Sequence, residues 1–404
     1  MYSNNMTKKA LIIGGGIAGP VTAMALRRAG VDSEIFEAYD RGAEGVGAFL
    51  TLAVNGLEAL RLLGLYDVVA DLGMDTSVTE IRNARGRLLA TMSQPSRTLR
   101  RSDLYQVLRD EAVRRDVPVH YGRRLVDAVA TPRGVRAVFA DGSEAEGDLL
   151  VGADGLHSRT RTLIDPAAPR ARYVGLLNTG GYAEGVRVPG RPGVCHFIFG
   201  RRCFFGYMIH PEGQVWWFAN PPSRREMSAE ELAAITPEQW RARLTDLFEG
   251  DTGPMREVIA ATPRIVPAWG TYDFPTVPTW YRGRMVIIGD AAHATSPSSG
   301  QGASMAIEDA VVLGKCLRDV PDTTDAFAAF ERLRRDRVER VVAQGKRNGD
   351  GKAPGAVGAF VRDLILPVIM RQVAKRNLLA WMHDYRIHWD EPVTVRPAGR
   401  SGTA

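Results

Sequence analysis

Short apolar runs, each followed by a loop and then by a segment of helical periodicity, occur near both ends of this chain. The first is the run 10–13, which precedes a glycine-rich turn at 14–19 and a helical pattern at 21–28. The second is the run 285–288, which precedes a loop and a helical pattern that continues through 306–310. Apolar runs of this length bounded by glycines are typical of buried parallel strands. The pattern predicts a Rossmann-like α/β fold.

Between these ends the chain changes to aromatic-rich apolar segments separated by Gly and Pro turns, such as 196–199 and 215–218. This texture predicts an inserted antiparallel sheet with one helical excursion at 229–248. Two earlier segments predict hairpins, one turning at Arg85-Gly86 and one at Asp141-Gly142.

These patterns predict the domain organisation. The α/β domain takes 1–75, 100–172 and 268–345, and C-terminal helices take 346–404. The antiparallel-sheet domain takes 76–99 and 173–267. A chain of 404 residues with 45% hydrophobic content exceeds the size at which one core usually suffices, which favours such a division.

Two helical segments outside the strand–loop–helix units are also predicted. The segment 101–115 predicts an amphipathic helix with Leu104, Leu108 and Val113 on one side. The stretch 357–388 has helical periodicity interrupted by Pro367. It predicts a packed pair of helices that caps a pocket, with an amphipathic membrane helix as the alternative.

The glycines of the first turn have the spacing Gly14-x-Gly16-x-x-Gly19. In this spacing Gly14 allows the tight turn, Gly16 lets the backbone approach a pyrophosphate, and Gly19 permits close packing of helix on strand. Glu37 ends the next apolar stretch, where a carboxylate accepts hydrogen bonds from a ribose. The segment predicts a dinucleotide site.

The late loop begins with Gly289-Asp290 and continues through Pro297, Gly300 and Gly302 to Ala303. A loop that ends at a helix start directs free backbone N–H groups and the positive end of the helix dipole at a bound anion. Together with the first turn, this loop predicts a flavin site.

Composition excludes several other classes of protein. The net charge of +6 comes from 46 arginines and six lysines dispersed along the chain, and the run 332–340 alternates signs as an exposed helix face would, so nucleic-acid binding is not expected. The three cysteines and seven histidines have no metal-ligand spacing, and no metal is expected. The chain has no apolar stretch long enough to span a bilayer and no room for a signal peptide before residue 10, so a cytoplasmic protein is expected.

Three ordered motifs resemble those of the group A flavoprotein monooxygenases, the p-hydroxybenzoate hydroxylase type. They are the glycine turn, Asp154-Gly155-x-x-Ser158-x-x-Arg161, and Gly289-Asp290 with Pro297-x-x-Gly300-Gln301-Gly302. The single-module length is similar to that of salicylate hydroxylases and tetracycline-inactivating monooxygenases. The resemblance implies an FAD-binding α/β domain, an inserted substrate domain and C-terminal helices.

The resemblance also implies roles for individual residues. FAD would lie against Gly14, Gly16 and Gly19, with its adenosine ribose on Glu37 and its phosphates or ribityl chain near Arg101 and Asp290. Ala48 would lie along the flavin, and Asp154 would take part in FAD and NADPH binding. Pro297, Gly300, Gly302 and Ala303 would complete the flavin site.

The chain departs from the family pattern at two positions. Ser304 stands where many members have Asn, so that contact with the flavin must come from the serine hydroxyl or from backbone. Ala38 stands where an Arg often follows the ribose carboxylate, and Arg41 is the candidate substitute. His293 belongs to the family string without a chemical role, so it is interpreted as structural.

The function implied by the resemblance is that of an NAD(P)H-dependent monooxygenase. O2 would form a C4a-hydroperoxyflavin that hydroxylates or epoxidises an aromatic or polyketide-like compound. Met208 and Trp216 are candidates for the substrate pocket, with core packing as an equally good interpretation, and no protein acid or base is assigned. The chain is expected to act as a monomer or homodimer.

Two alternatives remain open at this point. Another flavin reaction, such as halogenation or reduction, is possible on the same scaffold, although the Trp-x-Trp-x-Ile-Pro string expected of flavin halogenases is absent. A non-catalytic, FAD-binding redox sensor is the other. Substrate-stimulated oxidation of NADPH distinguishes an enzyme from a sensor.

Overall fold

The computed structural model describes residues 8–40, 48–352, 355–376 and 378–394 of the chain. The strands of these residues are β1 (Lys9–Ile13), β2 (Asp32–Phe36), β3 (Phe49–Ala53), β4 (Met74–Asp75), β5 (Val78–Asn83), β6 (Leu88–Ser93), β7 (Ser96–Arg100), β8 (Val119–His120), β9 (Leu125–Ala130), β10 (Val135–Phe139), β11 (Glu144–Gly147), β12 (Leu149–Gly152), β13 (Arg172–Ala183), β14 (Val194–Phe199), β15 (Phe204–Ile209), β16 (Val215–Asn220), β17 (Ile265–Asp273), β18 (Tyr281–Arg282) and β19 (Met285–Ile287). The helices are α1 (Ala18–Arg28), α2 (Val54–Leu62), α3 (Tyr66–Ala70), α4 (Arg101–Arg114), α5 (Arg159–Ile164), α6 (Ala229–Ala233), α7 (Pro237–Leu247), α8 (Met255–Ala260), α9 (Asp290–His293), α10 (Gly302–Asp319), α11 (Thr323–Asp350), α12 (Gly355–Arg376) and α13 (Ala380–His383).

A six-stranded sheet in the order β18-β19-β12-β1-β2-β8 forms the centre of the α/β part. Its neighbouring strands are parallel except at the β18–β19 edge. Helices α1 and α10 cover one face, and the sheet β9–β11 packs on the other through Phe139 and Leu150. Burial on both faces explains why Ala10–Ile13 is a continuous apolar run. The predicted Rossmann-like α/β fold is confirmed.

A seven-stranded sheet has the order β17-β13-β16-β15-β14-β5-β6. Its pairs are antiparallel except β14 with β5, which are parallel, and the hairpin β5–β6 adds to the edge of the sheet from an earlier part of the chain. Both predicted hairpins are present. One face of the sheet is covered by α6, α7 and α8, which bury Trp217 and Phe205. The other face turns towards the α/β part.

The sheet limits differ slightly from the predicted domain limits. The seven-stranded sheet continues to Asp273, and the segment 96–99 pairs with β3 in a separate three-stranded sheet. The division into domains remains a prediction.

Three details of the predicted helices were wrong. In α4, Leu104 and Leu108 are buried but Val113 is 56% exposed, because Ala112 takes the inward position of that turn. The excursion at 229–248 is two helices, since Thr236 starts a second capping box before Pro237. The run 332–340 is not wholly exposed, because Arg334 and Arg337 face inward.

The C-terminal helices differ from the expected packed pair. Helix α12 continues through Pro367, and its residues Leu364, Ile365 and Val368 are exposed. The shorter α13 packs closely, with Met382 buried, and α12 contacts β6 and donates through Arg362 to Phe199 O. Among the residues described, no helix combines the length and apolar character that crossing a bilayer requires.

Candidate cofactor and substrate site

The four strands that carry the predicted cofactor motifs are neighbours in the parallel sheet. They are β19, β12, β1 and β2 in that order, so their carboxyl ends meet at one edge. Two close approaches bring the motifs together: Gly14 lies against the Ala153–Asp154 backbone, and Gly289 lies against Ala18 at the start of α1. Ligands of parallel α/β sheets bind at this edge.

The three motif glycines differ in the space around them. Gly14 has φ +107°, and a Cβ there would overlap the Ala153 carbonyl oxygen, while a Cβ at Gly19 would overlap the Gly14 carbonyl oxygen. At Gly16 a Cβ would meet no atom of the described residues within 4 Å. Gly14 and Gly19 are therefore required by the fold, whereas the open space at Gly16 remains for a ligand.

Glu37 lies directly after β2, beside the glycine turn. Its carboxylate accepts hydrogen bonds from Gly15 N at 2.6 Å and from Tyr39 N at 3.0 Å. The side chain is half-buried. These two bonds hold the carboxylate at the edge of the turn, where it can also accept bonds from a ribose.

The contrast between the glycines gives a testable prediction. Gly19→Ala is expected to destabilise the protein by about 3 kcal/mol, because the new methyl group displaces the turn. Gly16→Ala is expected to change the stability of the cofactor-free protein by less than about 1 kcal/mol. It is also expected to raise the Kd for FAD about tenfold or more, since its methyl group takes the ligand's space.

Urea unfolding of the cofactor-free variants and FAD titration measure these two effects. Gly16→Ala provides the control for Gly19→Ala, because the chemical change is identical. Tight FAD binding by Gly16→Ala would contradict the assignment of this space to the cofactor.

The late loop is open to the same edge. Gly289 has φ +57°, Asp290 is exposed at the start of α9, and Pro297 begins a single 3-10 turn that ends at Gly300 with φ +63°. Gly302 and Ala303 are half-exposed at the start of α10. Neither α1 nor α10 has a side-chain cap or an acidic residue in its first turn. Both helix starts therefore keep backbone N–H groups for an anion.

A buried cluster of charges underlies the late loop. Asp309 Oδ2 lies 2.5 Å from His293 Nε2 and accepts a 2.9 Å hydrogen bond from Gly289 N, and its Oδ1 accepts a 2.7 Å bond from Arg334 Nε. Glu308 pairs with Arg334 at 2.7 Å and with Arg337 at 2.8 Å. Burial alone would raise the pKa of Asp309, but His293 and Arg334 lower it to about 2. The cluster fixes the loop from below.

A second set of polar contacts joins this cluster to α2. The Asn55 amide donates to Gln301 Oε1 at 2.8 Å and to Glu308 Oε1 at 2.6 Å. Gln301 Nε2 lies 3.3 Å from His383 Nδ1 on α13. The residue before α10 is thus held by the α/β core and by a C-terminal helix.

The Asp154 motif forms a local scaffold. The Asp154 carboxylate accepts bonds from Ser158 Oγ at 2.5 Å and from Thr160 N at 2.9 Å. Arg161 donates to the carbonyl oxygens of Leu156 and Ala291, at 2.9 Å and 3.0 Å. The motif therefore ties the turn after β12 to the late loop. A direct role of Asp154 with FAD or NADPH remains a prediction.

The structure gives contacts for three other predicted residues, Arg101, Ala48 and Ser304. Arg101 is half-buried, and its Nε donates to the Tyr105 hydroxyl at 2.7 Å. Ala48 O accepts a 2.8 Å bond from the Tyr182 hydroxyl. Ser304 is fully buried, and its hydroxyl accepts a 3.1 Å bond from Ala53 N, so its contact with a flavin remains a prediction. Arg41 lies outside the described residues.

An aromatic wall lines the face of the seven-stranded sheet that turns towards these loops. The half-exposed rings of this aromatic wall are Phe49, Tyr182, Phe197 and Phe218. The ring centroids of Phe49 and Phe218 are 6.1 Å apart, and those of Phe197 and Phe218 are 6.0 Å apart. Phe49 comes from the small sheet across the cleft. The wall therefore borders the space between the two large sheets.

The predicted pocket residues Met208 and Trp216 lie on the same face of the sheet as this wall, packed against Phe49 and Tyr182. They are paired across β15 and β16 and are only 2% and 3% exposed. They form a small buried cluster with Met74 and Cys195. The structure therefore favours core packing for both residues. Strand alternation places the neighbouring, accessible rings on this face of the sheet. Phe49 completes the set, and the sequence pattern did not reveal its position.

A parallel sheet with a glycine-turn pyrophosphate site, and with a second loop at the same edge, defines a class of dinucleotide-binding flavoproteins. The family model described as FAD binding domain matches residues 7–345. The chain belongs to this family.

Curated relatives agree with this assignment. Aurachin C monooxygenase/isomerase of Stigmatella aurantiaca is 32% identical over 369 residues, which cover 88% of this chain and 93% of the relative. The FAD-dependent urate hydroxylase of Klebsiella oxytoca is 31% identical, covering 88% of this chain and 94% of the relative.

Solved structures have the same fold. Klebsiella pneumoniae HpxO complexed with FAD and uric acid is 27% identical and superposes with a TM-score of 0.82, covering 93% of this chain and 96% of that one. A salicylate hydroxylase substrate complex, at 21% identity and a TM-score of 0.77, shares the fold, covering 94% and 96% of the two chains. The chain is an FAD-dependent flavoprotein hydroxylase.

The described residues fit FAD. The open space at Gly16 suits a pyrophosphate, Glu37 suits a ribose, and the uncapped start of α10 suits the negative charge that a reduced flavin carries. FAD, when bound, would supply the redox chemistry, and the protein would supply binding and orientation.

Proposed function

We propose that this enzyme oxidises NAD(P)H and uses O2 to hydroxylate or epoxidise a planar aromatic or polyketide-like compound. The observation that carries this proposal is the aromatic wall of Phe49, Tyr182, Phe197 and Phe218, whose rings remain half-exposed beside the cofactor loops. Rings in such an array bind a flat apolar molecule by stacking and edge contacts.

Each part of the chain has a task in this reaction. FAD, when bound, carries electrons from the nicotinamide to O2. The glycine turn and Glu37 hold its adenosine part, while Asp290 and the start of α10 hold the part nearer the flavin ring. The aromatic wall orients the substrate and excludes water, which protects reactive oxygen species from wasteful decay.

The wall is polar at the end nearest Ala48. Burial raises the pKa of the Tyr182 hydroxyl to about 12, and that hydroxyl donates to Ala48 O. It therefore remains a neutral hydrogen-bond donor at physiological pH. Tyr182 positions the segment before β3 and is not proposed as a proton acceptor.

The proposal is tested by NADPH or NADH consumption with FAD-loaded enzyme and a substrate panel. The panel begins with the compounds that the relatives' names supply, namely urate, 3-amino-4-hydroxybenzoate, salicylate and aurachin C. We expect at least one aromatic compound to accelerate NAD(P)H oxidation and to give a product heavier by one oxygen atom. Cofactor oxidation that no compound stimulates, without an oxygenated product, would refute the proposal and favour a redox sensor. A reduced or halogenated product would favour the other alternative.

The same experiment compares NADPH with NADH, and size-exclusion chromatography of the loaded enzyme distinguishes a monomer from a homodimer. Dependence on reduced nicotinamide is compatible with the cytoplasm, where this co-substrate is regenerated. Nucleic acid and metal have no part in the proposed reaction.

A further inference from the structure

Lys352 is a buried lysine that follows the last turn of α11. It is 8% exposed, and its Nζ donates a 2.6 Å hydrogen bond to Asn220 Oδ1. Nζ also lies 4.1 Å from the ring centroid of Phe204 and 5.8 Å from that of Phe218. The amine is therefore held by a neutral amide and by aromatic faces.

The register of the sheet locates Lys352 at one end of the aromatic wall. Phe204 pairs with Asn220 across β15 and β16, and Phe218 lies two residues before Asn220 on the same face. The rings of Phe204 and Phe218 are 5.8 Å apart. Phe218 in turn faces Phe49 across the cleft. A molecule lying along the wall would therefore meet the amine at this end.

The other side of Lys352 is tied to the cofactor loop. Asn348, in the last turn of α11, donates a 3.1 Å bond to Ser298 O. Gly349 approaches the same residue, since a Cβ there would lie 3.5 Å from Ser298 Oγ. Ser298 belongs to the 3-10 turn that leads into α10. Lys352 thus lies between the aromatic wall and the loop that begins the flavin helix.

Within the described part of the chain, no carboxylate lies within ion-pair distance of the Lys352 amine. Asp350 instead pairs with Lys346, and Asp363 pairs with Arg362. The segment 353–360 contains no acidic residue. Burial lowers the pKa of Lys352 to about 7, with a small opposing effect of the Cys203 thiol. A buried amine without a counter-ion is costly to the fold, so it calls for a functional explanation.

We propose that Lys352 binds an acidic group of the aromatic substrate and holds it as the anion. This assignment rests on the proposed function, because it requires an aromatic substrate along the wall. A phenol, enol or ring N–H would transfer its proton to Nζ. The O–H or N–H bond breaks, an ammonium N–H bond forms, and the electron pair remains on the substrate. The resulting anion is a better donor of electrons to an electrophilic oxygen, and it pairs with the ammonium in a low-dielectric cavity.

The competing interpretation is that Lys352 only clamps Asn220. The two interpretations differ in one respect. If Lys352 only clamps Asn220, its removal changes the affinity of all ligands of the cavity alike. If Lys352 pairs with an anion, its removal changes the affinity only of ligands that carry an acidic proton.

The experiment uses FAD-loaded, full-length enzyme and two matched probes, 4-nitrophenol and its methyl ether 4-nitroanisole. Binding is followed through the visible spectrum of the flavin, and ionisation of nitrophenol through its phenolate band, at a pH below its solution pKa. The wild type is expected to bind nitrophenol as the anion. Lys352→Met is expected to lose the phenolate band and to raise the Kd of nitrophenol about tenfold or more. Its affinity for nitroanisole should match that of the wild type.

Two further variants complete the experiment. Lys352→Arg is expected to restore affinity for the anion, because guanidinium retains the charge. Lys346→Met, on α11 and away from the aromatic wall, is the control and should bind both probes as the wild type does. Normal binding of nitroanisole by Lys352→Met verifies that its cavity is intact.

Three results would overturn the inference: a phenolate band retained by Lys352→Met, an equal loss of affinity for both probes, or failure of the wild type to bind nitrophenol as its anion. Failure of the proposed function is a separate result. It would be seen as the absence of oxygenated product in the wild type, whatever the two probes do.

Discussion

Asp290→Ala is expected to give a folded protein that purifies without colour and binds FAD at least about 100-fold more weakly, equivalent to a loss of about 3 kcal/mol. The Asp290 carboxylate is exposed at the cofactor edge of the sheet and has no hydrogen-bond partner among the described residues. Its backbone is already fixed, because Gly289 N donates to buried Asp309. Removing the carboxylate therefore takes away a cofactor contact and leaves the loop intact.

The absorption spectrum of the purified protein, followed by FAD titration, measures this effect. Asp336→Ala is a matched control, since Asp336 is exposed on α11 away from the cofactor edge. That variant should retain the yellow colour of the wild type. If Asp290→Ala also retained a full complement of FAD, the role assigned to this carboxylate would be wrong.

Arg334→Met is expected to lower the free energy of unfolding by about 3–5 kcal/mol, because it leaves the buried carboxylates of Glu308 and Asp309 without their shared cation. All three side chains are fully buried. The positive charge is strongly held, since Glu308 and Asp309 raise the pKa of Arg334 against the effect of burial. Glu308 keeps its pair with Arg337 and Asp309 keeps its contact with His293, so the expected cost is that of removing one buried cation from the cluster, where water cannot replace it.

Urea unfolding of the cofactor-free protein, wild type against variant, gives the magnitude. Arg332→Met on the same helix is the control, and it should change stability by less than about 1 kcal/mol because Arg332 is exposed. FAD affinity should also fall in Arg334→Met, since Asp309 holds Gly289 at the start of the late loop. A variant as stable as the wild type would show that the cluster does not support the loop.

The two variants distinguish a residue that binds the cofactor from a residue that supports the late loop. Asp290 lies on the late loop, at the surface of the cleft. Arg334 lies on α11 beneath this loop and supports it through Asp309. Loss of colour with normal stability is therefore expected for the first variant, and loss of both for the second.

The glycine turn and the late loop were predictable from sequence because their function depends on backbone. A turn that requires Gly14 and Gly19, and a helix start that exposes N–H groups, place local constraints on residue type, and such constraints are visible in one sequence. The order of motifs then indicated the family, which the comparisons confirmed. The hairpins turning at Arg85-Gly86 and Asp141-Gly142 were predictable for the same reason, since turn geometry is local.

The residues whose surroundings the sequence pattern did not reveal depend on tertiary contacts. The alternation of charge along 332–340 is compatible with an exposed face, yet Arg334 and Arg337 meet Glu308 and Asp309 from another helix. Trp216 and Met208 have the chemistry of pocket residues, but their neighbours across the sheet bury them. The sequence pattern did not indicate a role for Lys352, because a single lysine in a glycine-rich stretch belongs to no recognisable motif.

The sequence alone therefore determined the parallel α/β sheet, the glycine turn at Gly14–Gly19 and the helix start after Gly302. From these it predicts a pyrophosphate at the turn, a ribose at Glu37 and an anion at the helix start. Only the tertiary structure decided which rings line the cavity, which charges support the late loop, and that the amine of Lys352 ends the aromatic wall. The physical reason is the separation along the chain over which each constraint acts. Backbone requirements act between neighbours in the chain, whereas burial and charge pairing depend on elements that are distant in sequence and meet only in the folded protein.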